Sequence, residues 1–490
     1  MIQLKKVLFS ISLVSSSLLW SQINFSDTTS SSVYTSTAPT SAPVYVQAVA
    51  VEKPLSPKEQ IDFTLTSMAS DPVLKNAHWG FVVYDPKTKK IVSSYNESQP
   101  LIPASTTKLL TTETALSLLG SGFQWLTQLD YSGTIDENGV LNGNLYLVGS
   151  GDPSLGTSKA GATSYGMISM DFIAALAEKG IKRVNGDIIT QTAVFKANKI
   201  PTLPENIVWL EHGAYYLPVG SSAEIDPAKE KIIVKQSNPF AQEKRYFYVS
   251  PYIKKMVYAE EYQSLPFTTK LPDAPVGLAN SLRAAMIKSG IPVSGKVSTK
   301  MLDTDPEKRI LISTYRSPDL NDVVFYTNQH SDNGLAEATL RMVGFQKFGD
   351  QSLDSGRRAV VGHLQSVGFD MEGLNFADGS GLSRANMVTP LSQVKFLSSL
   401  MTTKYFKNYF DSLPIAGQTG TLKRMFVYGN GNGQIFAKTG TLNKVKCLTG
   451  YLKTNSGKTL AFSLLVNNYA GSTDAVKRKM EMILEPVLGY

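Results

Sequence analysis

Pro103-Ala104-Ser105-Thr106-Thr107-Lys108 stands directly ahead of an apolar run: Leu109, Leu110, Ala115, Leu116, Leu118 and Leu119. That run recurs at helical spacing, and Pro103 and Ser105 are residues that start helices. Ser105 and Lys108 are three apart, so on a helix they share a face, one turn from each other. A hydroxyl at the positive end of a helix with an amine one turn below it is a candidate activated nucleophile. The S-x-x-K pattern by itself is cheap. A second copy, Ser392-Gln393-Val394-Lys395, follows Pro390 as an ordinary helix turn. The rest of the chain must decide whether Ser105 matters.

Two further elements follow in a fixed order. Ser331-Asp332-Asn333 falls in a loop between two helical stretches, 226 positions after Ser105. Lys438-Thr439-Gly440 ends a strand-like run. Each has a decoy. Ser94-Tyr95-Asn96 precedes Ser105 and sits on a strand, and Gln418-Thr419-Gly420-Thr421-Leu422 lacks the amine of Lys438-Thr439-Gly440-Thr441-Leu442. Order and context select one copy of each.

The surroundings are those of a large exported globular chain. The 490 residues are 42% hydrophobic and 18% charged, enough for two or three domains or for one domain with insertions. Lys5 and Lys6 ahead of the apolar Val7–Trp20 segment, with Ser21 and Gln22 after it, read as a secretory leader over 1–22. That segment is too short to span a bilayer, and no other long apolar run exists, so no stable membrane span is expected. Residues 23–55, rich in Ser, Thr, Pro and Ala, read as a flexible tether. The lone cysteine, Cys447, excludes an internal disulfide and reads as a small buried hydrophobe. The formal charge of +8 falls to about +6 once Lys5 and Lys6 are removed, which suits an anionic envelope. No Lys/Arg block interleaves with aromatics, which argues against nucleic acid. The four histidines have no metal-ligand spacing.

Along the chain, a helix opens at Ser56-Pro57. A hairpin occupies 79–95, and the Ser105 helix ends near Gly120. From Phe123 short strands dominate, with a turn at Asn138-Gly139 between 129–131 and 145–148, a helix over 171–179 stopped by Gly180, and strand-like runs at 231–235 and 245–249. Helices return from about Pro275: one ending at Gly290, one from near Pro318, then 335–343, 357–367 and one opened by Pro390. Strands at 435–438, 447–452 and 459–466 and a helix from Asp474 close the chain. The expected fold is α+β. An antiparallel sheet flanked by helices is built from 56–122 and 275–490, and 123–274 is inserted as one or two β-rich subdomains.

The ordered set S-x-x-K, S-D-N and K-T-G is the set of penicillin-binding proteins and class A β-lactamases. With it, the chain resembles the penicillin-binding D-alanyl-D-alanine carboxypeptidases/endopeptidases that carry a large insert between the first and second motifs. Further residues carry the resemblance: Gly149-Ser150-Gly151-Asp152-Pro153, Asp378-Gly379-Ser380-Gly381-Leu382-Ser383 with Asn386 and Thr389-Pro390, and Leu413-Pro414-Ile415-Ala416-Gly417. It extends from about 56 to 490 and thins between about 190 and 270. It implies a penicillin-binding/transpeptidase-like domain in the periplasm, soluble or loosely membrane-associated. The partners it implies are peptidoglycan stem peptides, with β-lactam antibiotics as covalent inhibitors, and it implies no cofactor.

The chemistry assigns roles. Ser105 would attack, and Lys108 would be its base. A free lysine amine must fall by several pK units, at about 1.4 kcal/mol each, to act near neutrality. Burial and a second cation, Lys438, can supply that, with Lys438 expected to dominate. Ser331 can relay a proton to the leaving amine, and Asn333 can hold the substrate backbone. Lys438, Thr439 and Thr441 can bind a terminal carboxylate. The N–H groups of Ser105 and Thr441 would form an oxyanion hole, and Gly440 leaves room for a substrate strand at the sheet edge. Asp332 and Asp152 read as loop and turn residues. Two other functions fit the same fold. A serine β-lactamase needs a deacylation base, but Glu372-Gly-Leu-Asn375 misses the E-x-x-L-N spacing and follows Ser331. A non-catalytic envelope-binding protein would lack part of the set, and none is lacking.

Overall fold

The computed structural model describes residues 54–191, 276–300, 307–349, 351 and 353–490, with the backbone of four short strands within 207–258. The expected leader (1–22), the expected tether (23–55) up to residue 53, and the run at 231–235 lie outside the described residues.

Helix α1 (Pro57–Ala69) opens on a reciprocal cap. The Ser56 hydroxyl accepts from the Glu59 N–H while the Glu59 carboxylate accepts from the Ser56 N–H. The hairpin β1 (His78–Asp85) and β2 (Lys90–Tyr95) follows. A 3-10 turn, Ala104–Thr107, then feeds α2 (Lys108–Leu118). Next come β3 (Leu126–Tyr131), β4 (Thr134–Ile135), β5 (Val140–Asn142), β6 (Leu145–Gly149), α3 (Tyr165–Glu178), β7 (Arg183–Val184) and β8 (Ile188–Gln191). Two short ribbons pair β9 (Ile207–Leu210) with β10 (Tyr215–Pro218) and β11 (Phe247–Val249) with β12 (Met256–Tyr258). The chain continues through α4 (Gly277–Lys288), β13 (Val297–Lys300), β14 (Ile310–Arg316), α5 (Leu320–His330), α6 (Asn333–Phe348), α7 (Leu353–Ser366), α8 (Pro390–Leu400) and α9 (Phe406–Asp411). It finishes with β15 (Ile435–Leu442), β16 (Val445–Lys453), β17 (Thr459–Asn467) and α10 (Thr473–Leu488).

The main sheet has the order β15-β16-β17-β1-β2, antiparallel throughout. Its inner strand β17 reads as a near-continuous apolar run because both of its faces are covered. Along β17, Leu460, Phe462, Leu464 and Val466 join Phe81 and Val83 under Ile61 and Leu65 of α1 and Met480, Ile483 and Leu484 of α10. The alternate residues Ala461 and Leu465 join Val82, Cys447 and Tyr451 against Leu109 and Leu110 of α2 and Val394 and Leu397 of α8. Each such fully buried Leu, Ile, Val or Phe contributes about 1.5–3 kcal/mol relative to exposure. Cys447 shares this core. It is fully buried, its thiol donates to the Ile102 carbonyl at 3.3 Å, and burial pushes its pKa up to about 12.

A second sheet, β13-β8-β6-β3-β14, packs on α3 and α4 through Leu129, Leu147, Ile188, Phe172, Leu176, Leu282 and Met286. The boundary expected at 274/275 falls inside this layer. α4, β13 and β14 lie beyond it in sequence, yet they pack on α3 and pair with β8 and β3. The layer is also less purely β than the composition of 123–274 suggests, because α3 starts at Tyr165 rather than 171, with the Ser164 hydroxyl as its cap. The Asn138-Gly139 turn closes a small inner hairpin, β4-β5, and β3 and β6 pair outside it, Leu129 opposite Leu147. Among the described residues, no helix is long and apolar enough to cross a membrane.

Candidate active site

The nucleophile turn is held in a strained shape. Ala104, directly before Ser105, has φ +47°, a left-handed conformation that costs an L-residue about 1–2 kcal/mol. The Thr106 and Thr107 hydroxyls donate to the Pro103 and Ala104 carbonyls at 2.9 and 2.8 Å and fix the turn from within. Two glycines clasp it from outside. A Cβ at Gly381 would meet the Ala104 oxygen at 1.9 Å, and one at Gly440 would meet the Pro103 oxygen at 2.5 Å. Gly440 has a further role on the face of the sheet. Its bare Cα makes room for the nucleophile turn and not, on that face, for a substrate strand.

Lys108 is completely buried. Its Nζ donates to Ser105 Oγ at 3.0 Å, to Asn333 Oδ1 at 2.7 Å and to the Ser380 carbonyl at 2.5 Å. Burial lowers its pKa to about 8 against the opposing pull of Glu337, Asp378 and Asp332. Lys438 therefore does not dominate Lys108, as the sequence argument expected. Lys438 is also fully buried, and burial first, then Lys108 and Lys446, hold its amine well below the usual lysine range.

Ser331 ends α5 in the left-handed conformation, φ +56°. This aims the following Asp332 to cap α6, where its carboxylate accepts from the Leu335 N–H at 2.9 Å. The same carboxylate pairs with Lys159, from the second layer, at 2.5 Å. Asp332 is thus a capping residue, as read from the sequence. Asn333, next along, directs its carbonyl oxygen at Lys108, so its Nδ2 is the end it can offer a ligand. Lys438 Nζ donates to Ser331 Oγ and to the Thr439 carbonyl, both at 2.8 Å.

The structure thus brings Ser105, Lys108, Ser331, Asn333 and Lys438 into one hydrogen-bonded array, with Gly440 against its turn. Thr439 and Thr441 continue along β15, the edge strand of the main sheet. Thr439 Oγ1 donates to Thr421 Oγ1 at 2.7 Å. The near-repeat 418–422 therefore lies against the strand it resembles. The duplicate S-x-x-K is inert: Ser392 is buried on the Thr389 cap, and Lys395 is a surface residue paired with Asp370. Asp152 makes the expected turn, Oδ1 accepting from Ser154 N and Oγ at 2.8 and 2.6 Å, while Oδ2 is buried without a hydrogen-bond partner.

Three groups have roles at Lys108 that the sequence did not assign, although Asp378-Gly379-Ser380-Gly381 reads there as a structural loop near the site. The Ser380 carbonyl receives Lys108, and backbone groups carry no residue code. Glu337 fixes that carbonyl's loop by accepting from the Ser380 N–H at 2.9 Å, and Asp378 braces it by accepting from the Gly381 and Ser383 N–H groups at 2.7 and 2.6 Å. For Glu337 a signal existed: it lies four residues after Asn333, on the same helical face.

A hydroxyl in contact with a buried amine of lowered pKa, and a second hydroxyl in contact with another, can exchange protons near neutral pH. That is the requirement of acyl transfer through a serine ester.

Over residues 61–263 and 257–485 the chain matches the D-Ala-D-Ala carboxypeptidase 3 (S13) family. It is 27% identical over 452 residues to a D-alanyl-D-alanine carboxypeptidase of Actinomadura sp. (strain R39), covering 84% of this chain and 81% of that one. It is 28% identical over 428 residues to the D-alanyl-D-alanine carboxypeptidase DacB of Haemophilus influenzae, covering 80% and 85%. The crystal structure of penicillin binding protein 4 (dacB) from Haemophilus influenzae superposes with a TM-score of 0.63 at 25% identity, covering 87% of this chain and 99% of that one. A second structure of that protein, in complex with a β-lactam, superposes with a TM-score of 0.62.

Proposed function

Because the chain belongs to the D-Ala-D-Ala carboxypeptidase 3 (S13) family, we propose that it hydrolyses the D-Ala-D-Ala termini or cross-links of peptidoglycan stem peptides through an ester on Ser105, and that β-lactams acylate the same hydroxyl. The observation that carries this reading is the 3.0 Å contact between Ser105 Oγ and a buried Lys108 whose pKa is lowered to about 8. At pH 7 about one Lys108 amine in ten is neutral, a usable population of base.

Neutral Lys108 takes the Ser105 proton as Oγ attacks the carbonyl carbon of the penultimate D-alanine. The Ser105 and Thr441 N–H groups stabilise the oxyanion, each such donor being worth about 100- to 1000-fold in rate. The C–N bond then breaks. Ser331 Oγ accepts a hydrogen bond from Lys438 Nζ, so its own proton points to the leaving amine; that proton passes to the amine nitrogen as the Lys108 ammonium gives Ser331 the proton it took from Ser105. Water attacks the ester carbonyl as Lys108 takes its proton, the bond between the acyl carbon and Ser105 Oγ breaks, and Lys108 returns that proton to Oγ. Asn333 Nδ2 and the open edge of β15 hold the peptide, with Lys438, Thr439 and Thr441 around its carboxylate. No metal or organic cofactor enters these steps. The leader-like N-terminus and the substrate together support action in the periplasm.

Labelling with a fluorescent penicillin, paired with an assay of D-alanine release from a muropeptide, tests the proposal. Wild type is expected to do both and Ser105→Ala neither. Label surviving that substitution, or no label on wild type, refutes the Ser105 ester. Rapid turnover of the penicillin without D-alanine release favours the β-lactamase reading.

A further inference from the structure

A third buried lysine stands behind the carboxylate end of this site, and none of the steps above uses it. Lys446 lies on β16 directly opposite Thr441 and is only 5% exposed. Its neighbours Val445, Cys447 and Leu448 are completely buried. Among the described residues, no carboxylate lies within ion-pair distance of its amine. Asp474, the carboxylate acting on it from α10, is itself paired with Lys477 at 3.0 Å. Lys446 Nζ donates to Thr441 Oγ1 at 2.7 Å. Thr441 is exposed on the edge strand. One hydroxyl therefore separates a buried ammonium from the groove in which the peptide is proposed to lie.

This arrangement has a directional consequence. A threonine hydroxyl has one hydrogen to donate. With its oxygen already accepting from Lys446, that hydrogen turns away from the protein. A buried cation without a carboxylate is costly to keep, and cost without structural return marks functional sites. Among the described residues none supplies the anion that would complete the pair, and the groove beyond Thr441 is where one can reach it.

Building on the peptidase reading, we propose that Lys446 is the positioning residue of the leaving-group subsite: it orients the Thr441 hydroxyl and supplies positive charge behind it, selecting leaving groups that carry a free carboxylate. Lys446 acts through Thr441 and does not touch the reacting atoms. Its pKa is lowered to about 8 by burial and then by Lys477 of α10, against the opposing pull of Cys447 beside it on β16 and of Asp474 on α10. Selectivity for carboxylates should therefore weaken as pH rises through about 8. Lys438 on β15, which also senses Lys446, is the other charge facing this region.

The test uses two thioesters with the same acyl-D-alanyl half. One leaves as thiolactate with a free carboxylate, the other as its methyl ester. The ratio of their kcat/KM values is measured from pH 6.5 to 9.5 for wild type, Lys446→Met and Lys446→Arg. Wild type should favour the carboxylate. Lys446→Met should lower the ratio about tenfold or more, mainly through KM of the carboxylate substrate, the size expected for loss of one charge-assisted hydrogen bond. Lys446→Arg should restore most of it and move the loss of selectivity to higher pH. Removing a buried unpaired charge should raise the Tm of Lys446→Met, so misfolding would not explain the change. An unchanged ratio in Lys446→Met, or an equal loss on both substrates, overturns the proposal alone. Wild type that cleaves neither thioester overturns the peptidase reading and this proposal with it.

Discussion

Replacing Asn333 by aspartate exchanges an amide nitrogen for an oxygen and changes little in shape. It places a full negative charge where Oδ1 now accepts from Lys108 Nζ at 2.7 Å. At an effective dielectric constant of about 20, two unit charges at that separation attract by roughly 6 kcal/mol. Burying a new carboxylate beside Asp332, Glu337 and Asp378 offsets much of this. The net effect of an opposite charge in contact is about 1.4–4 kcal/mol in favour of the ammonium. The neutral fraction of Lys108 at pH 7 should then fall about 10- to 1000-fold, and acylation with it. The assay is the pseudo-first-order rate of fluorescent-penicillin labelling from pH 6 to 10. Wild type should rise with a midpoint near the Lys108 pKa of about 8. Asn333→Asp should be slower at neutral pH, recover as pH rises, and show its midpoint displaced upward. A variant slowed by the same factor at every pH, with the midpoint unmoved, would show that Asn333 acts only on the substrate or that Lys108 is not the base.

Gly440→Ala would drive a Cβ to 2.5 Å from the Pro103 oxygen, so the turn carrying Ser105 must move. Overpacking of this kind costs about 1–3 kcal/mol. Penicillin labelling should fall more than tenfold, and thermal denaturation should give a lower Tm. The buried lysines also predict a pH dependence of stability. The Lys108 amine has a pKa of about 8 in the folded chain against 10.5 unperturbed, and Lys446 likewise about 8. Below pH 8 both states are protonated and the folded state bears the burial penalty. Between 8 and 10.5 the folded amines lose protons that the unfolded chain retains, so stability rises with pH. Urea denaturation at pH 7.5 and 9.5 should show a gain of about 2 kcal/mol per lysine. That gain should shrink when Lys446 is replaced by methionine.

What the sequence revealed follows from where information is written in side chains. The run Thr459–Val466 is apolar at every position but Thr459 and Ser463, which marks a strand covered on both faces. Asp332 is a capping residue type at a helix start, and it caps. Three motifs distant in sequence converge because Ser105 opens onto α2, Ser331 ends α5, and Lys438-Thr439-Gly440 lies within the edge strand β15 beside them. The helix Gly277–Lys288 was assigned to the wrong layer because its apolar stripe says that one face is buried but not against what. The start of α3 was placed late because the Ser164 cap lies in a loop rich in serine, threonine and glycine, where one more serine does not stand out. Lys446 escaped notice within a run read around Cys447. Strand alternation puts Val445 and Cys447 on one face and Lys446 with Leu448 on the other, but only the register with Thr441 gives the amine a partner. The dominance expected of Lys438 failed because burial is a property of the assembled core and is not visible in the spacing of charges.

The pairing of β1 with β17 has a consequence in time. His78 lies opposite Asn467, and the pairing runs on to Tyr84 opposite Ala461. During synthesis from the N-terminus, the nucleophile turn emerges long before the strand that seats it. Until β15, β16 and β17 arrive, β1 and β2 form a lone hairpin, which is marginal in water. Gly440 is not yet present to clasp Pro103, and Lys438 has not reached Ser331. Ser105 should therefore remain chemically silent in every nascent or C-terminally shortened chain. Pairings of such long sequence separation also make folding slow. Penicillin labelling then becomes a clock as well as an assay: its first appearance marks the moment when the last strand closes onto the first.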